Sequence, residues 1–412
     1  MRGSRPGFRA VVIVALASIV SASAVSCSSD GSGDEATATT PEETATTTTE
    51  PMTTATDGAT PGTASWTMEQ ELQGELDGVV AWSEGFAGIM DVDGGEIYEG
   101  GEIWYSVDGI EWARESEESP GPGGDVFKLV GRQGDLFALS GDWSNDTEDK
   151  TLWHRRADEP WEVVVADPRL ELLAVGDERL IAYAQNGFEV VGVFDTSTLE
   201  AAEYAGLPDV DFGAADAEFE PGIYQGRALA LDDGFLADVS WLMGVNDVRG
   251  RLFFSEDGST WIEHPSPPDG PLVLQFGESS APVHEGVNLL YAGGVSPGRS
   301  WLTDDGLEFE STSVPGNWSV VGTTVGFVTV DPFGAIHRST DGSTWVSLEA
   351  PPTWGGRAEP DEHGFVRGTI VDGDDQLLAL SVHGEVEGWG GVADPTTEIW
   401  STSIDDVITD SP

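Results

Sequence analysis

The 412-residue sequence has one cysteine, Cys27, and two lysines, Lys128 and Lys150. A single cysteine excludes any disulfide within the chain, so the fold must hold by packing and hydrogen bonding. Basic residues number 18 against 74 acidic ones, a formal net charge of -56. Nucleic acid and anionic membrane surfaces both require a positive patch, so this balance excludes them as partners of the chain's surface. No apolar run is long enough to cross a bilayer as a helix. No long stretch shows a 3.6-residue apolar period, so helix is expected to be scarce. The six histidines, His154, His264, His284, His337, His363 and His383, lack close metal-ligand spacing. A Gly-x-Ser-x-Gly nucleophile elbow is absent, as is a Gly-rich phosphate loop between a strand and a helix.

What is present begins with a repeat. Ser106-Val-Asp108-Gly109-Ile-Glu-Trp112, Ser255-Glu-Asp257-Gly258-Ser-Thr-Trp261 and Ser339-Thr-Asp341-Gly342-Ser-Thr-Trp345 share the pattern S-x-D-G-x-x-W. Thr303-Asp-Asp305-Gly306-Leu-Glu-Phe309 is a softened copy. Blade-sized units cannot bury their apolar faces alone and must stack on neighbours. Residues 65–412 divide into seven units of about 50, the size of a propeller blade; six or eight units of about 58 or 44 remain admissible. Seven third-strand candidates follow: Ile103 to Ser106, Leu152 to Arg155, Val191 to Phe194, Leu252 to Ser255, Ser300 to Thr303, Ala335 to Ser339 and Glu398 to Ser401. Second strands precede them, such as Asp135 to Ser140, Gly234 to Trp241, Val287 to Gly293 and Gln376 to Val382. Alternation, β-branched content and Gly or Asp punctuation favour strands. The expected fold is therefore all-β, a seven-bladed β-propeller of four-stranded antiparallel blades.

Within each blade the repeat falls where the third strand turns into the fourth. Ser and Asp side chains satisfy turn backbone, Gly supplies a positive-φ corner, and the closing Trp starts the outer strand and packs inward. The motif resembles the Asp-box, or bacterial neuraminidase repeat, of sialidase-like propellers, with one residue fewer between Asp and Gly. The resemblance implies a structural box away from any active centre. Blade two keeps only Trp161 and blade three almost nothing.

The amino terminus carries a compartment signal. Arg2, Arg5 and Arg9 precede the apolar run Ala10 to Val20, which has the length of a signal-peptide core. Ala24-Val-Ser-Cys27 then resembles a bacterial lipoprotein signal, with Ala24 where the family favours Leu. The resemblance implies a signal peptide over 1–26, lipidation of Cys27, and an extracytoplasmic protein anchored to the cell membrane. Residues 28–64 are rich in Thr, Ala, Glu and Pro, lack apolar periodicity, and read as a disordered linker. Fully extended at about 3.1 Å per residue it reaches roughly 110 Å. The propeller then occupies 65–412. Its last blade lacks an outer strand, and 65–70 are expected to supply it and close the ring, since an open edge invites aggregation.

Strand order assigns the loops to faces. Second-to-third-strand loops and inter-blade stretches share one face, and this set is long: Asp91 to Gly101, Gly141 to Lys150, Leu242 to Gly250, His383 to Thr397, Ala205 to Tyr224 and Ala350 to His363. Long loops on a rigid scaffold are where binding resides. Trp143, Trp354 and Trp389, with Arg249, Arg299 and Arg357, are the candidate binding residues there. Two functions compete. One is a non-catalytic, monomeric module that binds a glycan, peptide or envelope protein without a cofactor. The other is a sialidase-like exo-glycoside hydrolase, which the resemblance implies would cluster arginines about a substrate carboxylate and carry an Arg-Ile-Pro segment. No Arg-Ile-Pro occurs, and the acidity opposes an anionic sugar. Asp91-Val-Asp93-Gly-Gly-Glu96 and Asp372-Gly-Asp374-Asp375 have the oxygen-rich character of calcium sites, without a full EF-hand loop.

Overall fold

The computed structural model describes residues 64–91, 101–115, 121–123, 125–132, 134–141, 150–184, 188–208, 222–244, 247–264, 280–291, 299–315, 319–331, 333–354, 364–373, 376–387, 391–404 and 407. Cys27 and the preceding and following linker residues lie outside them. Every named element is a strand, and the strands form seven four-stranded antiparallel sheets. Strand β1 (Thr67–Gln73) comes first in sequence but belongs to the last blade.

Blade 1 holds β2 (Glu75–Trp82), β3 (Gly85–Asp91), β4 (Glu102–Ser106) and β5 (Ala113–Arg114). Blade 2 holds β6 (Val126–Arg132), β7 (Asp135–Ser140), β8 (Lys150–Arg155) and β9 (Glu162–Asp167). Blade 3 holds β10 (Leu172–Val175), β11 (Arg179–Ala184), β12 (Glu189–Asp195) and β13 (Ala201–Ala202). Blade 4 holds β14 (Gly222–Leu231), β15 (Gly234–Gly244), β16 (Asp247–Ser255) and β17 (Ile262–His264). Blade 5 holds β18 (Val283–His284), β19 (Val287–Tyr291), β20 (Arg299–Thr303) and β21 (Glu310–Ser313). Blade 6 holds β22 (Ser319–Thr323), β23 (Gly326–Val330), β24 (Ile336–Ser339) and β25 (Val346–Leu348). Blade 7 holds β26 (Gly364–Asp372), β27 (Gln376–Glu387) and β28 (Gly391–Ser403), with β1 outermost. The fold is a seven-bladed β-propeller.

The core is not one mass but seven seams between neighbouring sheets. Phe86, Trp112 and Leu378 pack where blade 7 meets blade 1. Ile103, Leu136 and Trp161 fill the seam of blades 1 and 2. Ile181, Phe235 and Trp261 fill that of blades 3 and 4. Phe309 and Trp345 join the seams in front of blades 5 and 6. In each case the aromatic residue at the start of the outer strand reaches back onto the preceding blade. Trp66 does the same for blade 7, packing in the seam with blade 6 and donating its indole N–H to the Glu349 carbonyl at 2.7 Å. Burying about 200 Å² of indole contributes up to about 5 kcal/mol, taking about 25 cal/mol per Å².

The boxes lock these wedges. One carboxylate oxygen of Asp341 accepts from the Ser339 hydroxyl at 3.0 Å and from the Ser343 and Thr344 N–H groups at 2.8 and 2.7 Å. Asp108 and Asp257 repeat all three contacts, and Asp305 repeats the two backbone ones. Burial raises the Asp341 carboxyl, but the N–H groups and the hydroxyl outweigh it and hold it at about 2. Gly109, Gly258, Gly306 and Gly342 all take φ between 70 and 76°. Their second constraint is contact. A Cβ on Gly109 would sit 2.6 Å from Leu378, on Gly306 2.6 Å from Leu231, and on Gly342 2.6 Å from Leu302, each on the blade before. A Cβ on Gly258 would approach Ile181 of blade 3 to 3.1 Å.

Blade 3 keeps the turn chemistry without the motif. Asp195 accepts from the Ser197 and Thr198 N–H groups, both at 3.0 Å, and Leu199 takes the positive φ of 58°. The ring is joined through β1, which pairs with β28 from Thr67↔Ser401 to Gln73↔Thr396.

Two outcomes test this account. Deleting 65–70 removes the Trp66 wedge and much of β1, and the melting temperature should fall sharply; unchanged melting would refute the role of the pairing. Asp341 has a depressed folded pKa, so its stabilisation is complete above about pH 4 and is lost as pH falls toward about 2. Asp341→Asn should cost about 1 kcal/mol at neutral pH and flatten the acid dependence in that window. Parallel acid unfolding curves for the two proteins would contradict it.

Candidate functional site

The two faces of the ring differ in construction. On the face of the second-to-third-strand connections, blades 4 and 7 carry the longest second strands among the described residues. Strands β15 and β27 run 11 and 12 residues, whereas β3, β7, β11, β19 and β23 run 5 to 7. Five extra residues at about 3.3 Å each extend a blade by about 16 Å. These extensions correct the loop expectation for Leu242 to Gly250 and His383 to Thr397. Both are continuations of β-hairpins, paired Leu242↔Val248, Gly244↔Asp247, Glu385↔Ala393 and Val386↔Val392. Their alternating Val and Leu residues prolong the ladder. Blades 4 and 7 are separated by two blades on one side of the ring and three on the other, so the two arms face each other across the central axis.

The candidate binding residues divide. Arg249 lies in β16 opposite Trp241, on an arm, and Arg299 begins β20 opposite Ser313; their side chains are outside the described residues. Trp143, Arg357 and Trp389 lie outside the described residues altogether. Trp354 lies in the inter-blade stretch of that face, but its ring is buried. It is 7% exposed and packs with Ile336, Leu348 and Trp400 in the seam of blades 6 and 7. A turn from Pro351, closed by the Trp354 N–H at 2.9 Å, folds the indole inward, where burial outweighs exposure at a glycine-rich loop. Of the calcium stretches, Asp93, Glu96, Asp374 and Asp375 fall outside the described residues. Among the described residues no group of three or more His, Cys, Asp and Glu side chains is arranged to hold a metal.

Three described arginines lie on inner strands, of which Arg132 on β6 donates to Asp177 of blade 3 at 2.8 Å. Arg367 on β26 pairs with Glu75 and, at 3.6 Å, Asp77 of blade 1. Arg227 on β14 stands opposite Asp238 in register. Burial lowers the pKa of both from the ordinary guanidinium value; for Arg227 the Asp238 and Tyr183 charges oppose the shift. On blade 7, His383 Nε2 faces both Ser381 Oγ at 2.9 Å and Glu398 Oε2 at 3.4 Å. A nucleophile relay needs the acid on the opposite ring nitrogen. Here Ser381 is fully buried, and Glu398 also accepts from Thr353 at 2.5 Å and from Trp400 at 3.1 Å. This cluster fastens the Thr353 turn to blade 7. Burial pushes the His383 pKa down, against the pull of Glu398 and Glu71.

The opposite face, that of the boxes, holds a cavity of about 1470 Å³ beneath blade 1, with walls from blades 7 and 2. It lies beside the box of blade 2, whose residues are exchanged. Counting back from Trp161, Arg155 takes the place of Ser, Ala157 of Asp and Asp158 of Gly. Asp158 keeps the positive corner at φ 59°. Its N–H donates to Glu84 of blade 1 at 2.7 Å. Arg155 lies 5.3 Å over the Trp82 ring and 5.1 Å over the Tyr105 ring. It donates to the Tyr105 hydroxyl at 3.2 Å, to Glu115 at 3.0 Å and to Glu84 at 3.4 Å. Glu115 also accepts from the Trp161 indole at 3.0 Å. Burial raises the Tyr105 and Glu115 pKa values; Glu115 raises Tyr105 further, while Trp161 and Arg155 pull Glu115 back. Sequence reasoning missed this group. Its signal was an arginine at the box Ser position, legible only once the register from Trp161 was fixed.

No protein-family model matches the chain, and no curated protein sequence does. Solved structures share the fold. An α-L-arabinofuranosidase of Fusarium graminearum in complex with an iminosugar inhibitor is 12% identical, with a TM-score of 0.43 over 82% of this chain and 99% of that one. Trypanosoma rangeli sialidase is 12% identical, with a TM-score of 0.40 over 84% of this chain and 58% of that one. An acylaminoacyl peptidase of Pyrococcus horikoshii is 9% identical, with a TM-score of 0.46 over 80% and 52%. The likeness is one of architecture.

Arg155→Met should leave Glu84 and Glu115 without their shared cation and cost about 2 kcal/mol in urea unfolding. Arg155→Lys should restore less than half of that loss, because an ammonium reproduces neither the fork nor the stack over two rings. Full restoration by lysine would contradict the assigned geometry.

Proposed function

We propose that this protein is a non-catalytic binding module, carried outside the cytoplasm and tethered to a bacterial membrane through acylated Cys27. It works as a monomer without a cofactor and holds a glycan, peptide or envelope protein on the face that bears the two arms. The observation that supports this most is the placement of the arms. Only blades 4 and 7 are prolonged to this degree among the described strands, and they stand across the ring from each other. Long paired strands are stiffer than loops, so they bound a trough with little ordering cost on binding. The net charge of -56 selects against anionic partners and in favour of uncharged or cationic ones.

Glycoside hydrolysis of the sialidase type is the alternative. It requires arginines free to clasp a substrate carboxylate. Arg367, Arg227 and Arg132 are the described inner-strand arginines, and carboxylates already face all three. This favours binding over catalysis.

Replacing 242–248 and 386–392 each with an Asn-Gly turn shortens both arms while keeping the hairpins closed. The full-length protein should capture a cross-linkable partner from the envelope fraction that the shortened one does not, at equal melting temperature. Equal capture by both would refute the arm assignment. Release of a fluorogenic sialoside by the purified protein would favour hydrolysis instead.

A further inference from the structure

We propose that the cavity beneath blade 1 is a second binding site, independent of the arms, and that its ligand is a neutral oligosaccharide. The cavity volume of about 1470 Å³ exceeds the 300–1,000 Å³ or so that suits a compact small molecule. It has room for several linked sugar units. Its walls combine ring surface with hydroxyl, amide and carboxylate groups, from Trp82, Tyr105, Thr402, Gln376 and Glu111. Polyhydroxylated ligands need this mixture of apolar platform, donor and acceptor.

Behind the lining surface, two of these residues also carry enclosed polar atoms without a partner. Trp82 is 8% exposed and Thr402 4%, and the Trp82 indole N–H and the Thr402 hydroxyl find no hydrogen-bond partner among the described residues. Buried polar atoms are rarely left so, because each costs about 1–3 kcal/mol. At the lip, Val107 is 85% exposed, an apolar side chain offered to solvent at the edge of the opening.

Charge narrows the class. Glu84 and Glu115 flank Arg155, the one cation among the described lining residues, and Glu111 lines the same cavity, a balance that repels acidic sugars. Glu84 and Glu115 are already bonded by Arg155, the Asp158 N–H and the Trp161 indole, so they offer little to a cationic ligand. What remains is neutral recognition. The site lies beside the altered box of blade 2, which contributes Arg155 to it. A regular box there would place Ser where Arg155 now spans from blade 2 to the rings of blade 1.

The test uses the full-length protein in detergent and isothermal titration with gluco-, manno- and galacto-hexaoses, sialyllactose and a chitosan hexamer. At least one neutral hexaose should bind at micromolar to millimolar concentration, and the two charged probes should bind at least about tenfold more weakly. Val107→Trp, at a solvent-exposed position, should fill the lip and weaken the neutral ligand by about tenfold or more without lowering the melting temperature. The arm-shortened variant should bind the hexaose as the parent does, which separates this site from the one proposed above. No binding by any neutral probe, preferred binding of a charged one, or binding unchanged by Val107→Trp would each overturn the proposal.

Discussion

The contact on which everything else rests is the one between a turn glycine and the blade before it. At Gly109, Gly306 and Gly342 the backbone comes so near Leu378, Leu231 and Leu302 that a methyl group would not fit. That proximity lets the following aromatic residue reach across the seam and bury itself. Each sheet is marginal alone, since four short strands expose an apolar face on either side. Stacked in a ring, each sheet's faces become the two halves of its neighbours' cores. Asp108, Asp257, Asp305 and Asp341 hold the turn in the only shape that permits the approach.

This explains why so much of the architecture could be read from the sequence. The motif carries both a local instruction, positive φ after an Asx turn, and a long-range one, an indole aimed at the previous sheet. Strand positions such as Asp135 to Ser140 and Ser319 to Thr323 follow from alternation bounded by Gly and Asp. Other features depended on information that is not local. The arms were expected as loops from Leu242 to Gly250 and from His383 to Thr397, yet cross-strand pairing carries the ladder through much of both. Trp354 looked exposed beside glycines, and only the seam of blades 6 and 7 shows where it goes. Asp195 was invisible as a turn anchor because neither Gly nor Trp follows it at the repeat spacing.

Blade 2 shows what happens when a repeat is relaxed. With Ala157 at the box Asp position the turn has no carboxylate of its own, and the Asp158 N–H is bonded by Glu84 of the neighbouring blade. Placing arginine at the Ser position fills the seam with a cation, which recruits Glu115 and the two rings. The substituted turn is still anchored, but by a network between blades instead of within one. The cavity of the box face lies beside this network, while Ile103, Leu136 and Trp161 still fill the seam itself.

The pairing of β1 with β28 has a mechanical consequence. The chain reaches Thr67 from the side of the box turns, and the strand then runs to Gln73 along six matched positions of β28. Tension applied through the preceding segment along the strand axis therefore loads those ladder bonds together, in shear, and not one after another as in unzipping. Such a joint resists pulling far better than a frayed end, and Trp66, wedged against blade 6 just ahead of it, takes the strain first. In the tethered form proposed above, the point where force enters the ring is also the point where the ring is fastened.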